Sequence, residues 1–343
     1  MEAIILAGGF GTRLRPLTYT RAKALLPILN KPMLTYIIDL LPDEVDKVII
    51  AVNYRKNQLE QYFKTYDCGK TIIVNDEPRP LGTGGASKFA QKHITGRFFV
   101  LNADTLCSIH FDDMIRFHEK KNAVTTISLW PVENVSEFGV VDIKKDGNVV
   151  GFVEKPKPED APSDLINAGA YLLEPEVLDY IETGRLVSME KEIFPQIIQK
   201  TQRFYGYQFK GFWIDVGRIS SYLEIHKILL KRQKKKYMKG EQCTINGSFT
   251  GFCLGHRVYI GNQSNVSSSV LFDDVHIGDN VILQNCVIGE GSSIGDSSRL
   301  TNVVVGDHEH VTSRTILDNQ MIWTQQIPAG YPAKQIGNVI GER

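Results

Sequence analysis

A glycine-rich segment with two arginines follows the first apolar run of the chain. Residues 8–18 read GGFGTRLRPLT and come directly after the apolar stretch AIILA. Glycines let backbone N–H groups approach a ligand closely, and Arg13 and Arg15 offer forked donors to phosphate oxygens. An ordinary tight turn explains poorly why arginines stand beside the glycines. The segment therefore predicts a site for a polyphosphate.

Two better-known phosphate loops do not fit this segment. A Walker A loop ends in Gly-Lys-Ser or Gly-Lys-Thr, whereas here Gly11 is followed by Thr12 and Arg13. A dinucleotide-binding loop needs another glycine three positions after Gly11, where Leu14 stands. The sequence therefore indicates phosphate binding of another kind.

Two aspartates are candidate metal ligands. Asp104 ends the apolar run FFVLNAD, and Asp215 lies in GFWIDVG. Carboxylate oxygens suit Mg²⁺, which proteins usually hold with one or two carboxylates plus substrate phosphates. Each aspartate could instead cap a turn or a helix, the commoner fate of an Asp after a strand. The residues alone leave both interpretations open.

The elements that must position these groups alternate between two periodicities. Residues 1–232 interleave short apolar runs such as VIIAVN and TIIVND with amphipathic stretches such as QLEQYFKTY. This alternation predicts an α/β catalytic domain with a Rossmann-like, mostly parallel sheet. Ligands of such sheets bind beyond the carboxyl ends of the strands. We therefore expect the loops after Ala7, Asn75 and Leu101 to form the site.

The remaining residues, 233–343, have a different texture and are predicted to form a second domain with a C-terminal tail. Small apolar residues recur six apart with one-residue slips, and glycines often follow them. This pattern is typical of hexapeptide repeats, which fold as a left-handed parallel β-helix. The residues expected to point inward are Ile260, Val266, Phe272, Ile277, Leu283, Ile288, Ile294, Leu300, Val305 and Val311.

Composition excludes several classes of partner. The 39 Lys and Arg residues balance 39 Asp and Glu residues, so the overall charge favours neither nucleic acid nor a membrane surface. The basic cluster at residues 231–236 is interpreted as a solvated helix end rather than an RNA-binding or targeting patch. No signal peptide or membrane-spanning run is evident, so we expect a cytoplasmic protein. The five scattered cysteines argue against a disulfide frame and a zinc site.

A series of motifs resembles one family in order and spacing. The glycine-rich segment is followed by Lys23 in RAKALLP, then by NKPM, PLGTGGA, LNADT, FGVV, FVEKP, INAGAYLL and GFWIDVG. This series resembles the sugar nucleotidyltransferases, also called nucleoside-diphosphate-sugar pyrophosphorylases. The resemblance implies that a sugar 1-phosphate attacks the α-phosphorus of a nucleoside triphosphate and that pyrophosphate leaves. It also implies Mg²⁺ as cofactor.

The resemblance assigns roles to individual residues. The order of the motifs is what supports these roles, since a single lysine, a Glu-Lys pair or an Asn-x-Gly taken alone would be read as ordinary surface or turn residues. The implied catalytic residues are Arg13 and Lys23. The implied nucleotide-binding residues are Leu6, Ala7, Gly8, Gly9, Gly11, Thr12, Glu77, Gly82 and Asn102. The implied sugar-phosphate residues are Gly139, Glu154, Lys155, Asn167 and Gly169, and the implied metal ligands are Asp104 and Asp215.

Glu77 bears on the choice of base. In the family this position is typically Gln in enzymes that use UTP or dTTP and Glu in those that use GTP. Guanine presents two adjacent donors, N1–H and the exocyclic amine, which one carboxylate can accept side by side. A loop-capping role for Glu77 is the alternative.

The choice of sugar is implied by residues 189–197, MEKEIFPQI, which resemble the mannose-1-phosphate guanylyltransferase branch. GTP and mannose 1-phosphate are therefore the expected substrates. Alternatives are a glucose-1-phosphate thymidylyl- or uridylyltransferase, and a non-catalytic regulatory paralogue that binds sugar nucleotides. Acyl transfer at the β-helix is another, with histidines available at His256, His276, His308 and His310. The repeats are expected to form a homo-oligomer, and the tail IPAGYPAKQIGNVIGER departs from the usual family ending.

Overall fold

The computed structural model describes residues 1–327 and the strand Val339–Ile340. The chain divides into two compact units. The first comprises Met1–Gly9 and Leu34–Ile214, and the second comprises Phe10–Met33 and Asp215–Arg343. The glycine-rich segment is thus shared between the units. Most of the C-terminal tail lies outside the described residues.

The first unit is built on a nine-stranded sheet whose centre is parallel. Glu2–Leu6 lies between Lys47–Val52 and Phe98–Asn102 and is parallel to both. Thr71–Asp76 extends the parallel part, and Leu165–Leu173 joins the other side antiparallel to Phe98–Asn102. The central strands read as continuous apolar runs because both faces of the sheet are buried. This arrangement confirms the predicted Rossmann-like α/β fold.

The other elements of this unit surround that centre. The remaining strands are Thr105–Cys107, Thr125–Pro131, Gly139–Ile143, Val149–Glu154, Phe204–Gln208 and Trp213–Asp215. The α-helices are Met33–Asp39, Lys56–Thr65, Gly82–Phe89, Phe111–Lys120 and Phe194–Thr201, the last preceded by a π-helical turn at Met189–Ile193. Short 3₁₀ turns lie at Gln91–His93, Pro158–Asp160 and Pro175–Tyr180.

The helix Phe111–Lys120 illustrates why these segments fold as they do. Phe111, Met114, Ile115 and His118 are buried and fall on one face at helical spacing. The ring of Phe111 packs edge-on against Phe99, a residue of the central sheet, with ring centroids 4.9 Å apart. The helix is therefore held by its apolar face against the sheet.

The second unit begins with the segment Phe10–Met33 and continues at residue 215. The segment contains 3₁₀ turns at Thr12–Leu14 and Lys23–Leu25 and a short hairpin of Pro27–Ile28 with Lys31–Pro32. The helix Ile219–Gln233 follows, and its last turn carries two basic residues. Residues 231–236 are exposed, which agrees with the interpretation of this cluster as a solvated helix end.

A parallel β-helix forms the rest of the unit. Its strands stack into three all-parallel sheets, and a residue pairs with one 17 positions later, as Cys253 with Val270 and Asn262 with Asp279. This confirms the predicted hexapeptide-repeat fold. The three sheets contain, in turn, Met238–Lys239, Cys253–Leu254, Val270–Leu271, Val287–Ile288, Val304–Val305, Met321–Ile322 and Val339–Ile340; Thr244–Ile245, Tyr259–Ile260, His276–Ile277, Ser293–Ile294 and His310–Val311; and Ser248–Thr250, Asn265–Ser267, Ile282–Gln284, Arg299–Thr301 and Ile316–Asp318.

The expected inward residues are buried in one cluster, with one exception. Phe272 was predicted to point inward, and this is wrong: Leu271 takes the inward place. Most coils hold 17 residues rather than three sets of six, so one spacing in such a coil shortens to five and the inward position moves back by one. Phe272 is still buried, and its ring lies 4.9 Å from the guanidinium carbon of Arg21.

The cysteines behave as small apolar residues. All five are free thiols, and Cys107, Cys253 and Cys286 are buried. Burial raises the pKa of Cys107 and Cys286 to about 11 and that of Cys253 to about 12. These three thiols are therefore poor nucleophiles near neutral pH.

A helix that spans a bilayer needs about 20 consecutive, mostly apolar residues. Within residues 1–327 no helix is both long enough and apolar enough to cross a bilayer.

His226 makes the stability of the fold sensitive to acid. It is fully buried, and its Nδ1 lies 2.8 Å from the carbonyl oxygen of Tyr222. Burial lowers the pKa of His226 from 6.5 to about 4, against the opposing effect of that carbonyl. The unfolded chain therefore takes up a proton near pH 6.5 that the folded chain resists down to about pH 4. We expect the free energy of unfolding to fall over that range, by on the order of 3 kcal/mol from this histidine.

Urea unfolding between pH 4.5 and 7.5 measures the effect, compared with the variant His226→Gln. The variant should show a flatter dependence of unfolding free energy on pH, while a His276→Gln control, altered at an exposed histidine, should not. Parallel pH profiles for His226→Gln and the unmodified protein would contradict the assignment.

Candidate active site

A cavity opens beyond the carboxyl ends of the central parallel strands. Its volume is about 370 Å³, and it lies where the strands Glu2–Leu6, Thr71–Asp76 and Phe98–Asn102 end. The loops singled out from the sequence meet there. The lining residues are Leu6, Gly8, Gly9, Asn53, Glu77, Pro80, Leu81, Gly82, Thr83, Ala86, Asn102 and Asp104.

The glycines of this cavity differ in what they permit. A β-carbon on Gly9 would meet no atom within 4 Å, so the backbone there is open to a ligand. A β-carbon on Gly8 would lie 3.1 Å from the Asn53 side-chain nitrogen. Gly82 has a φ of +72°, and a β-carbon there would lie 2.5 Å from the carbonyl oxygen of Val187. Gly82 is therefore required by the fold, whereas Gly9 leaves space.

Glu77 is a buried carboxylate on the cavity wall, 7% exposed. Burial raises the pKa of Glu77, the nearby Asp76 adds to this effect, and the backbone N–H of Leu81 opposes it. That N–H donates to Oε2 of Glu77 at 3.3 Å. The side chain therefore caps the following loop, which is the alternative role considered for Glu77 from the sequence. It also lines the cavity.

A second group of predicted residues gathers on neighbouring strands of the same unit. Gly139 pairs with Glu154 across two antiparallel strands. A β-carbon on Gly139 would lie 2.9 Å from Oε2 of Glu154 and 2.5 Å from the ring of Phe152. Lys155 follows with a left-handed φ of 51° and donates its backbone N–H to the carbonyl oxygen of Phe138 at 2.9 Å. The structure brings Gly139, Glu154 and Lys155 together.

Asn167 and Gly169 are held rigidly beside Asn102. The side-chain nitrogen of Asn167 donates to the Tyr171 hydroxyl at 2.8 Å, and its oxygen accepts the backbone N–H of Gly169 at 3.0 Å. Gly169 has a φ of +80°, and a β-carbon there would lie 2.7 Å from the side-chain nitrogen of Asn102. Only glycine fits at this close approach.

A hydrogen-bond chain links this group to the cavity wall. The Tyr171 hydroxyl donates to Oε1 of Glu190 at 2.9 Å, and Oε2 of Glu190 accepts the hydroxyl of Thr83 at 2.8 Å. Sequence reasoning missed Thr83 and gave no role to Glu190. The position of Glu190 inside MEKEIFPQI was the available signal.

Asn53 was also missed. It directly follows the strand Lys47–Val52 and lines the cavity, so the rule that placed the other loops could have found it. Its side-chain oxygen is buried, and across the described part of the chain it has no hydrogen-bond partner.

The predicted catalytic residues and Asp215 belong to the second unit. Nη2 of Arg13 and Oδ1 of Asp215 each lie 3.1 Å from the point that a β-carbon on Gly217 would occupy. A β-carbon on Gly11, whose φ is +67°, would lie 3.2 Å from the β-carbon of Lys23. Arg13 is therefore near Asp215, and Lys23 is near Gly11.

The remaining predicted residues have simpler places. Ala7 donates its backbone N–H to the carbonyl oxygen of Ala51 at 2.8 Å, which continues the sheet by one residue. Thr12 begins a 3₁₀ turn. Among residues 1–327, no group of three or more His, Cys, Asp or Glu side chains is arranged to hold a metal ion by itself.

The histidines of the β-helix make contacts between coils. His276 stacks on Tyr259 with ring centroids 4.6 Å apart, and Nδ1 of His310 lies 2.6 Å from the hydroxyl of Ser293. Nδ1 of His256 lies 3.2 Å from the backbone nitrogen of Glu241. These contacts give the three rings structural roles.

Comparison with protein families settles the class. A family model for nucleotidyl transferases matches residues 2–232. The chain belongs to the nucleotidyl transferase family. A second model, described as the GMPPB C-terminal domain, matches residues 239–331 of this nucleotidyltransferase. The predicted enzyme class is confirmed.

Relatives of this nucleotidyltransferase carry more specific names. It is 39% identical to mannose-1-phosphate guanyltransferase beta-B of Xenopus laevis, over 74% of this chain and 71% of that protein. It is also 39% identical to mannose-1-phosphate guanyltransferase of Saccharomyces cerevisiae, over 70% of this chain and 69% of that protein.

Solved structures resemble the nucleotidyltransferase as well. HddC from Yersinia pseudotuberculosis, complexed with GMP-PN, is 29% identical with a TM-score of 0.54, over 65% of this chain and 96% of that one. UDP-glucose pyrophosphorylase, complexed with UDP-glucose, is 26% identical with a TM-score of 0.58, over 68% of this chain and 99% of that one.

Proposed function

We propose that this nucleotidyltransferase joins GTP and mannose 1-phosphate to give GDP-mannose and pyrophosphate. The observation that carries the proposal is the buried carboxylate of Glu77 on the wall of the 370 Å³ cavity. It is supported by the names of the relatives, which are mannose-1-phosphate guanyltransferases at 39% identity. The cavity's place beyond the parallel strands agrees with nucleotide binding.

Glu77 favours guanine for a chemical reason. Oε1 and Oε2 of an ionised glutamate only accept hydrogen bonds, and guanine offers N1–H and the exocyclic amine side by side. Uracil and thymine place carbonyl oxygens on both sides of N3–H, so a carboxylate there would face a lone pair. Leu81 already donates to Oε2 at 3.3 Å, which fixes the orientation of the carboxylate.

The reaction requires two anions to meet. A phosphate oxygen of mannose 1-phosphate forms a bond to the α-phosphorus of GTP. The bond from that phosphorus to the oxygen bridging to the β-phosphorus breaks, and pyrophosphate leaves with the bonding electrons. Catalysis of this step depends on positioning and charge neutralisation. We assign charge neutralisation to Arg13 and Lys23.

The sugar phosphate is assigned to the group around Gly139 and Asn167. Glu154 offers an acceptor for sugar hydroxyls, and Lys155 offers a positive charge for the phosphate. A β-carbon on Gly139 would collide with Phe152 and Glu154, and one on Gly169 would collide with Asn102, so glycine at both positions lets these side chains pack closely around the proposed pocket. The chain of hydrogen bonds through Tyr171 and Glu190 supports a rigid sugar pocket.

Asp104 and Asp215 are proposed to hold Mg²⁺. Two carboxylates fit this ion, which proteins bind with one or two carboxylates while substrate phosphates and water supply the other ligands. When bound, the ion would neutralise phosphate charge. Arg13, whose guanidinium lies near Asp215, would orient the phosphates.

We also propose a cytoplasmic homo-oligomer. The free thiols agree with a reducing compartment. On one sheet of the β-helix, Ile282 and Ile316 are 39% and 76% exposed and share a column in which Ile282 pairs with Arg299 and Arg299 with Ile316. Exposed large apolar side chains in one column suit a subunit contact.

The substrate assignment is tested by pyrophosphate release from GTP, dTTP, UTP, ATP and CTP, each with mannose, glucose and N-acetylglucosamine 1-phosphates. GTP with mannose 1-phosphate should have the highest kcat/KM. In the variant Glu77→Gln, the preference for GTP over UTP should fall by about 10- to 100-fold, because a buried donor of guanine loses its acceptor. A Glu60→Gln control, altered at an exposed position, should keep the original preference.

The dependence of the reaction on pH supplies a second readout. Burial raises the pKa of Glu77 above its ordinary value of 4.5. As the pH is lowered, kcat/KM for GTP should therefore begin to fall at a pH above 4.5. In the variant Glu77→Gln, kcat/KM should not show this decrease at low pH.

An unmodified protein that turns over dTTP faster than GTP would overturn the base assignment and leave the reaction class intact.

A further inference from the structure

The segment Phe10–Met33, which carries the proposed catalytic residues, groups with the β-helix in one compact unit. The strongest link is an ion pair. Nη2 of Arg21 lies 2.7 Å from Oδ2 of Asp307 and 2.9 Å from Oε2 of Glu290. The Asp307 side chain is only 3% exposed. A buried carboxylate that meets a guanidinium at this distance forms a strong, directional contact.

Asp307 is itself held in place. Its Oδ1 accepts the backbone N–H of Glu290 at 2.8 Å, a contact between neighbouring coils. Its Oδ2 also accepts the hydroxyl of Thr20. On the other partner, the Arg21 guanidinium lies over the ring of Phe272 at 4.9 Å. The positions of both charges are therefore fixed by the β-helix.

Further contacts join the same segment to the β-helix. The rings of Tyr19 and Trp323 pack with centroids 5.0 Å apart, and both side chains are fully buried. The side-chain nitrogen of Asn30 donates to the carbonyl oxygen of Leu254 at 2.7 Å. The segment is attached at separate points along its length.

The ion pair is adjacent to the proposed chemistry. Lys23 stands two residues after Arg21 and begins the turn Lys23–Leu25. The β-carbon of Lys23 approaches Gly11 closely, and the Thr18 hydroxyl donates to the carbonyl oxygen of Gly11 at 2.9 Å. A shift of Arg21 would therefore move both Lys23 and the turn that carries Arg13.

We propose that Arg21 and Asp307 are positioning residues for nucleotidyl transfer, holding Phe10–Met33 on the β-helix so that Lys23 and Arg13 are preorganised for phosphate. The inference rests on the proposed function and extends it: the β-helix takes part in catalysis through Asp307. Both residues act through Lys23 and Arg13 rather than on the substrate.

The experiment uses full-length Asp307→Asn. Asparagine keeps an oxygen for the Glu290 N–H and removes the charge that Arg21 meets. The matched control is Asp296→Asn, because Oδ1 of Asp296 accepts the backbone N–H of Asp279 at 2.8 Å, the same kind of contact between coils. Because removing one partner of a buried ion pair also costs stability, the thermal unfolding midpoints of both variants are measured first and kinetics are compared at a temperature at which both are fully folded.

Asp307→Asn should lower kcat/KM for pyrophosphate release by about 10- to 100-fold, with most of the loss in kcat, because misplacement by about an ångström has that cost. Asp296→Asn should stay within about twofold of the unmodified protein. Hydrogen exchange without substrate should be faster at residues 10–33 in Asp307→Asn only. Adding Arg21→Gln to Asp307→Asn should cost little more, since the two residues act as a pair.

Two outcomes would overturn the inference, provided that the unmodified enzyme is active. One is an unchanged kcat in Asp307→Asn, and the other is an equal loss of kcat/KM in Asp307→Asn and Asp296→Asn. Unchanged hydrogen exchange at residues 10–33 would also overturn it. An unmodified protein that releases no pyrophosphate from any substrate pair would refute the proposed function, and the positioning role with it. The two failures are therefore distinguishable.

Discussion

Asp104→Asn is expected to lower kcat by about a hundred- to a thousandfold, and Asp215→Asn by a similar factor. Each change replaces a carboxylate by a neutral amide, which binds Mg²⁺ more weakly, while the shape of the side chain is retained. Pyrophosphate release measured over a series of Mg²⁺ concentrations should show half-maximal activity at higher concentrations in both variants.

The control for these variants is Asp43→Asn, altered at an exposed aspartate away from strand ends. It should keep full activity. If Asp104→Asn and Asp215→Asn kept kcat within about threefold at all Mg²⁺ concentrations, the metal assignment would be wrong, since losing a ligand costs far more than that. If both variants also still bound the sugar nucleotide, the alternative of a non-catalytic regulatory paralogue would be favoured over the enzyme.

Arg13→Lys should be nearly as damaging as Arg13→Ala, with kcat/KM reduced by about a hundredfold or more. A guanidinium offers a rigid fork of donors to phosphate oxygens, and an ammonium group does not reproduce it. The Arg13 guanidinium lies near the Asp215 carboxylate and Gly217. The shorter lysine side chain, with its differently shaped cation, would not occupy this position.

Steady-state kinetics with GTP as the varied substrate measure this loss. Arg116→Lys, on an exposed helical face where Arg116 pairs with Asp113, is the matched control and should change neither kcat nor KM. Full activity of Arg13→Lys would show that only a positive charge is needed at this position.

Local pattern was enough to predict most of the fold. The runs around Ile4, Ile49 and Val100 are continuous and apolar because these strands are buried on both faces, and that texture distinguishes them from the helices between them. The β-helix was readable because the same spacing recurs in most of its coils. Phe272 was misplaced because a pattern of six does not say which spacing shortens to five. A domain boundary near residue 232 stays a prediction.

The candidate site was less accessible to sequence reasoning. Gly9, Glu77 and Asp104 were found because they follow apolar runs or match motifs, and their roles stay predictions. Nothing in the sequence distinguishes Asp307 from Asp279 and Asp296. In the structure each of the three accepts a backbone N–H from the preceding coil. Only the three-dimensional fold brings Arg21 to Asp307, 286 residues away along the chain.

The coil repeat of 17 residues has a consequence for how this chain can change length. Inserting one whole coil before Asp307 would preserve the inward apolar positions, so the stack itself would tolerate it. The insertion would nevertheless displace Asp307 by about 4.8 Å along the stack, the spacing of neighbouring strands. Arg21 would then face a different layer. Since Trp323 also packs on Tyr19, growth or loss of coils is compatible with this enzyme only beyond Trp323.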